Sequence, residues 1–134
     1  MKIKFLPIVF LPILFSACGN HSHGQEKIEL NNGQKWAVNQ EMKPHIEQGR
    51  EVLNAYLSDG STDHLKLVKD LQEQNSKLIK SCTMDGKAHD ELHKWLHPHL
   101  ELIKALRDAK TEVEVTEVTG QLKSSYDLYD TYFD

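Results

Sequence analysis

From Asn39 to the C-terminus, apolar residues recur at spacings of three and four in four stretches, each separated by a short break rich in Gly, Asp, Ser or Thr. That period is the signature of an α-helix with one buried face. No strand-like alternation and no internal repeat competes with it. Four amphipathic helices joined by short connections bury their faces on one another. The expected fold is therefore all-α, an up-down-up-down four-helix bundle over residues 39–134.

The first helix is expected to start at Asn39 as N-cap, with Pro44 in its first turns and Met42, Ile46, Gly49, Leu53 and Tyr56 on its inner face. Ser58-Asp59-Gly60 ends it. The second starts near Thr62 or Asp63 and turns Leu65, Val68, Leu71, Leu78, Ile79 and Cys82 inward, a stripe interrupted by Asn75. Thr83 to Gly86 is a loop. The third runs from about Lys87 to Ala109, with Leu92, Leu96, His99, Leu100, Ile103 and Leu106 on one face and Pro98 as a kink, since its nitrogen cannot bond the carbonyl of Lys94. The fourth opens on Thr111-Glu112-Val113-Glu114, a capping box, and continues through Val115, Val118, Leu122, Ser125, Tyr129 and Tyr132. Tyr126, Tyr129, Tyr132 and Phe133 are expected to close the end of the bundle.

The chain begins differently. Lys2 and Lys4 precede an apolar run from Phe5 to Phe15, and Ser16-Ala17 stand before Cys18. With Pro7 and Pro12 inside it, that run falls short of the roughly 20 residues a spanning helix needs, and it reads as an export signal over residues 1–17. Phe15-Ser16-Ala17-Cys18 resembles the bacterial lipobox, with Phe15 where that motif usually has Leu. The resemblance implies cleavage before Cys18 and a lipid on its thiol, hence a protein held at the membrane on the periplasmic or outer-membrane face of a bacterial envelope. An ordinary secretory cut after Ala17 is the alternative. Residues 18–38 form a tether and lead-in. Gly19 to Gln25 is polar, and His21 and His23 there read as solvated. Asn31-Asn32-Gly33 is turn-like, and Trp36 is expected to pack against the domain.

Removing 17 of the 134 residues leaves 117, one domain's worth. Loss of Lys2 and Lys4 takes the formal charge from −4 to −6. A chain this acidic lacks the basic face that nucleic acid demands. With Cys18 lipidated, Cys82 has no partner for an internal disulfide.

In an up-down-up-down bundle the starts of helices one and three share an end with the finish of helix two. Met42, His45, Cys82, Met84, His89 and His93 thereby gather at one end. Thioether, thiolate and imidazole suit copper(I), and imidazole with thiolate also suits zinc. His89 and His93 are four apart on one helix edge and can share an ion. The candidate metal ligands are Met42, Cys82, Met84, His89 and His93. Against this stands a structural reading in which Cys82 and the methionines pack and the histidines are solvated. His99 reads as a hydrogen-bonded core residue, His97 as pointing away from the site, and His64 as part of the second helix's first turn.

The stretch Gln121-Leu122-Lys123-Ser124-Ser125-Tyr126-Asp127-Leu128-Tyr129-Asp130-Thr131-Tyr132-Phe133 resembles the closing helix of the small periplasmic b-type cytochromes, which are four-helix haem bundles. The resemblance implies a haem at one end of the bundle between a methionine early in helix one, matched by Met42, and a histidine late in helix four. That histidine position falls on Asp130, so a haem here would need His89 or His93 instead. His89 to His99 also looks like a stretch of a group of uncharacterised bacterial lipoproteins, which implies no function.

No nucleophile elbow, phosphate loop or zinc-hydrolase helix motif occurs, so the chain is not expected to be an enzyme. The expected function is binding of a soft transition metal, copper foremost, at the cell envelope. A haem-binding bundle is one alternative. A metal-free bundle that receives another envelope protein is the other.

Overall fold

The computed structural model describes residues 26–134, so the expectations for the signal segment, Cys18, His21 and His23 lie outside the described residues. Four helices follow in order: α1 (Lys43–Ser58), α2 (His64–Ser81), α3 (Gly86–Asp108) and α4 (Glu112–Tyr132). Each packs on the next, and α1 also meets α4, which closes the up-down-up-down bundle. Among the described residues there are no strands, and no helix is long and apolar enough to cross a membrane.

The helix ends follow local chemistry. Asp63 caps α2 by accepting the backbone N–H of Lys66 at 3.0 Å. Thr111 and Glu114 form the expected capping box of α4, each side chain accepting the other's backbone N–H. Asn39 does not cap α1, which starts four residues later without a side-chain cap. Its amide instead donates to the carbonyl of Ser81 and accepts from the N–H of Thr83, at 3.0 and 3.2 Å. A residue read as a local helix signal thus ties the lead-in to the α2–α3 loop.

Two inner faces differ from the expected stripes. On α2 the buried residues are Leu67, Val68, Leu71, Asn75 and Leu78, while Leu65 and Ile79 are half exposed, at 56% and 50%. The face is rotated because Asn75 lies within it. On α3, Trp95 and Glu91 join Leu92, Leu96, His99, Ile103 and Leu106, and the helix continues through Pro98. Glu91 is buried because three groups compensate it: the backbone N–H of Glu29 at 2.8 Å, the ammonium of Lys94 at 2.9 Å, and the field of Lys87. Those partners hold its carboxyl below the ordinary range against the opposing effect of burial, which is the largest single influence on it.

The lead-in belongs to the domain. Asn31 and Gln34 exchange backbone hydrogen bonds across Asn32 and Gly33, both at positive φ (51° and 84°) as a two-residue hairpin turn requires. Trp36 then lies alongside the last residues of α4: its N–H donates to the carbonyl of Tyr132, and its carbonyl accepts from Asp134. Ile28, Trp36 and Val38 are buried with Met42, Tyr129 and Phe133 in the same core.

The seam between α3 and α4 is aromatic. The Trp95 indole donates to the Ser125 carbonyl at 2.8 Å, and His99 Nδ1 lies 2.9 Å from the Ser125 hydroxyl. The His99 ring stacks on Trp95 and meets Tyr126 edge to face, both at 4.8 Å between centroids. His99 is fully buried, and among the described residues its Nε2 has no partner. Burial pulls its pKa down to about 4.

Across the core, α1 approaches Tyr126 so closely that a Cβ on Gly49 would clash with the phenol oxygen. Arg50 flanks this contact. It grips Asp130 of α4 with both guanidinium nitrogens and lies 5.6 Å from the centre of the Tyr126 ring.

Gly49→Ala should therefore destabilise the chain in urea, although alanine is the better helix former by about 1 kcal/mol. Adding Tyr126→Phe should recover the loss, because it removes the atom the methyl meets. A Gly49→Ala variant more stable than the wild type would mean that α1 and α4 are not in such close approach. His99 gives a second expectation. Its folded pKa lies below the unfolded value, so its contribution is fully present above pH 6.5 and is lost as pH falls toward 4. The loss amounts to about 3 kcal/mol over that window. His99→Gln, which keeps a partner for Ser125, should flatten this acid dependence; an unchanged profile would assign it to other groups.

Candidate metal site

The α3 register fixed by Trp95 and His99 decides where the remaining histidines lie. At ~100° per residue, His89, His93 and His97 fall on one flank of α3, and Trp95, Pro98 and Leu102 fall on the other. Residues four apart on a helix are neighbours. The three imidazoles form a ladder: His93 Nε2 lies 3.0 Å from His89 Nε2, and His93 Nδ1 lies 3.0 Å from His97 Nε2. Ring centroids are 4.3 and 4.8 Å apart, with the rings close to perpendicular.

His97 was expected to point away from the site and to be solvated. It is exposed, but its ring contacts His93. The signal was the same i, i+4 spacing that pairs His89 with His93. Measuring phase from the apolar face concealed it.

Burial is graded along the ladder, with His89 and His93 half-buried and His97 exposed. Partial burial first, and then the neighbouring His89 and His97, lower the pKa of His93, while Asp90 opposes them. The central ring therefore keeps a free lone pair at lower pH than an ordinary histidine. The 3.0 Å contact is an N–H···N hydrogen bond, and with its proton moved to the far ring nitrogen the same pair also matches a chelate. With metal–nitrogen bonds of about 2.0–2.1 Å, such a pair subtends roughly 90–95° at an ion.

The other expected ligands are placed less suitably. Met42 is only 1% exposed and packs in the core beneath the lead-in. His45 Nδ1 lies 3.3 Å from the side-chain oxygen of Gln74 on α2. Cys82, the C-cap of α2, and Met84 are half-buried at the edge of the core, on the loop that leads into α3. Among the described residues, no three His, Cys, Asp or Glu side chains are grouped to hold a metal. His89 and His93 are thus the two of the five candidate ligands whose donor atoms are seen side by side.

The haem pattern can be tested on α4. Asp130, at the histidine position of the cytochrome-like helix, is bound by Arg50, which holds its carboxyl below the usual carboxylate range. A carboxylate engaged in this way supplies no imidazole donor. A haem here would therefore draw on His89 or His93 together with Met42, which is packed in the core.

A concavity lies on the opposite flank of α3. It is an open groove of about 860 Å³ between the lead-in, α3 and α4, lined by Ile28, Trp95, Pro98, Leu102, Leu128 and Tyr132 among others. Comparison of the chain with family models, curated proteins and solved structures finds no match.

Proposed function

We propose that this chain is a lipid-anchored envelope protein that binds a transition-metal ion, copper foremost, without catalysing a reaction. The observation that carries the proposal is the pair of imidazole nitrogens of His89 and His93, 3.0 Å apart on one helix flank. Imidazole accepts several divalent ions, and among them copper(II) binds most tightly at a given nitrogen site. Its near-square coordination suits the bite of the pair. The sulfur donors Met42, Cys82 and Met84 are secondary, because none of them is grouped with the imidazoles. The lipid at Cys18 would keep the ion at the membrane surface.

A partner-binding role is the second reading, and the groove beside Trp95 and Leu128, with Lys94 and Glu117 also in its lining, supports it. The two separate on metal content. The purified chain, titrated with copper(II) at pH 7.5, should retain one ion through gel filtration. His89→Ala with His93→Ala should remove it, and Cys82→Ser should leave it. Affinity should fall as pH drops through the histidine range, about 6.5, because protonated imidazole has no lone pair. An unliganded wild-type protein would leave the partner reading as the better one.

The anchor is tested separately. Cys18→Ala should leave the precursor uncut and without label in cells fed a radioactive fatty acid. Normal processing of that variant to a soluble protein would overturn the lipid attachment.

A further inference from the structure

Two imidazoles suffice to chelate an ion, yet the ladder has three rungs. His93 faces its two neighbours through different nitrogens, Nε2 toward His89 and Nδ1 toward His97, each at 3.0 Å. We infer that His89, His93 and His97 form two adjacent and mutually exclusive metal seats that share His93, between which a single ion exchanges. This rests on the metal-binding reading above and specifies how that site is loaded.

The exclusion follows from proton counting. A neutral imidazole has one lone pair and one N–H. When the ion occupies the inner seat, it takes the Nε2 lone pairs of His89 and His93. The His93 proton is then on Nδ1, where His97 Nε2 accepts it. When the ion occupies the outer seat, it takes His93 Nδ1 and His97 Nε2. The proton then sits on His93 Nε2 and is accepted by His89 Nε2. Metal-bound histidines characteristically donate their second N–H to an acceptor that fixes the tautomer and the ring orientation. Here the rung that is not a ligand supplies that acceptor in either seat. Moving the ion transfers one proton between the two nitrogens of His93 through solvent, and no other ring changes its tautomer. Filling both seats would require His93 to lose its one remaining N–H and become an imidazolate, so the chain holds one ion.

Exposure gives the seats different roles. His97 is exposed and His89 half-buried, so the outer seat is the one an incoming donor reaches. With only two protein ligands per seat, the remaining positions on the ion are open to water or to a ligand of another molecule. That suits exchange better than storage.

The test compares single substitutions in the full chain, with His21 and His23 changed to Ala so that the tether binds nothing. The probe is copper(II), read by isothermal titration and by the rate of transfer to a chelator, with helix content followed by circular dichroism. His89→Ala and His97→Ala should each still bind one ion, because each leaves one seat intact. Each of those two changes removes one seat and the supporting partner of the other, a loss of about tenfold, whereas His93→Ala removes a ligand from both seats and should lower the affinity well beyond either. His97→Ala should also slow transfer to the chelator, while His89→Ala should speed it. Loss of binding in His89→Ala with an unchanged His97→Ala would overturn the two-seat arrangement and leave a fixed His89–His93 site. Two ions per wild-type chain would also overturn it. No ion on the wild-type chain would remove the metal-binding reading itself.

Discussion

Ser125 fixes the rotation of α3 about its own axis, and most of the molecule's chemistry follows from that setting. Its carbonyl takes the Trp95 indole N–H and its hydroxyl meets His99 Nδ1, so two residues one turn apart are held against α4. Stacking of Trp95 on His99, and of Tyr129 on Phe133, adds apolar contact along the same seam. A helix locked in this way has no freedom to choose its other faces. The flank carrying His89, His93 and His97 is turned out of the core, and the flank carrying Pro98 and Leu102 borders the groove.

The arrangement is achieved at the expense of unsatisfied polar atoms. Among the described residues His99 Nε2 and Asn75 Nδ2 are buried without partners, each a desolvation penalty of about 1–3 kcal/mol. The surrounding structure compensates with contacts between parts distant in sequence. Arg50 to Asp130 spans α1 and α4, Glu91 to the N–H of Glu29 joins α3 to the lead-in, and Asn39 to Ser81 and Thr83 joins the lead-in to the α2–α3 loop. The lead-in is thus a fifth packing element without being a helix. It covers the bundle end toward which the sulfur and imidazole donors had been expected to converge. Met42 lies beneath it as a core residue, and the imidazole nitrogens that do lie side by side are on a helix flank.

Helix number, connections and the α4 capping box were legible in the sequence because each depends on neighbours within a few residues. The capping box needs only Thr111 and Glu114. What was not legible depends on distant partners. Asn75 and Glu91 break the apolar pattern, yet both are buried, and only the backbone of Glu29 together with Lys94 makes Glu91 tolerable there. Asn39 has the residue type of an N-cap but spends its amide on residues more than forty positions away. The His89–His93 pair was visible from spacing, whereas the contact with His97 was hidden because the phase was taken from the leucines. Trp95 escaped the expected face for a related reason. Its place in the core depends on the carbonyl of Ser125, thirty residues on.

The central claim is that imidazole nitrogens of α3, and not the sulfur atoms of Met42, Cys82 or Met84, hold the ion. X-ray absorption at the copper edge, recorded on the copper(II)-loaded chain lacking His21 and His23, reads those donors directly. The account predicts a first shell of nitrogen and oxygen at about 2.0 Å with the outer-ring scattering of two imidazoles and no sulfur shell. A first shell dominated by sulfur at about 2.3 Å, or one without imidazole scattering, would contradict it.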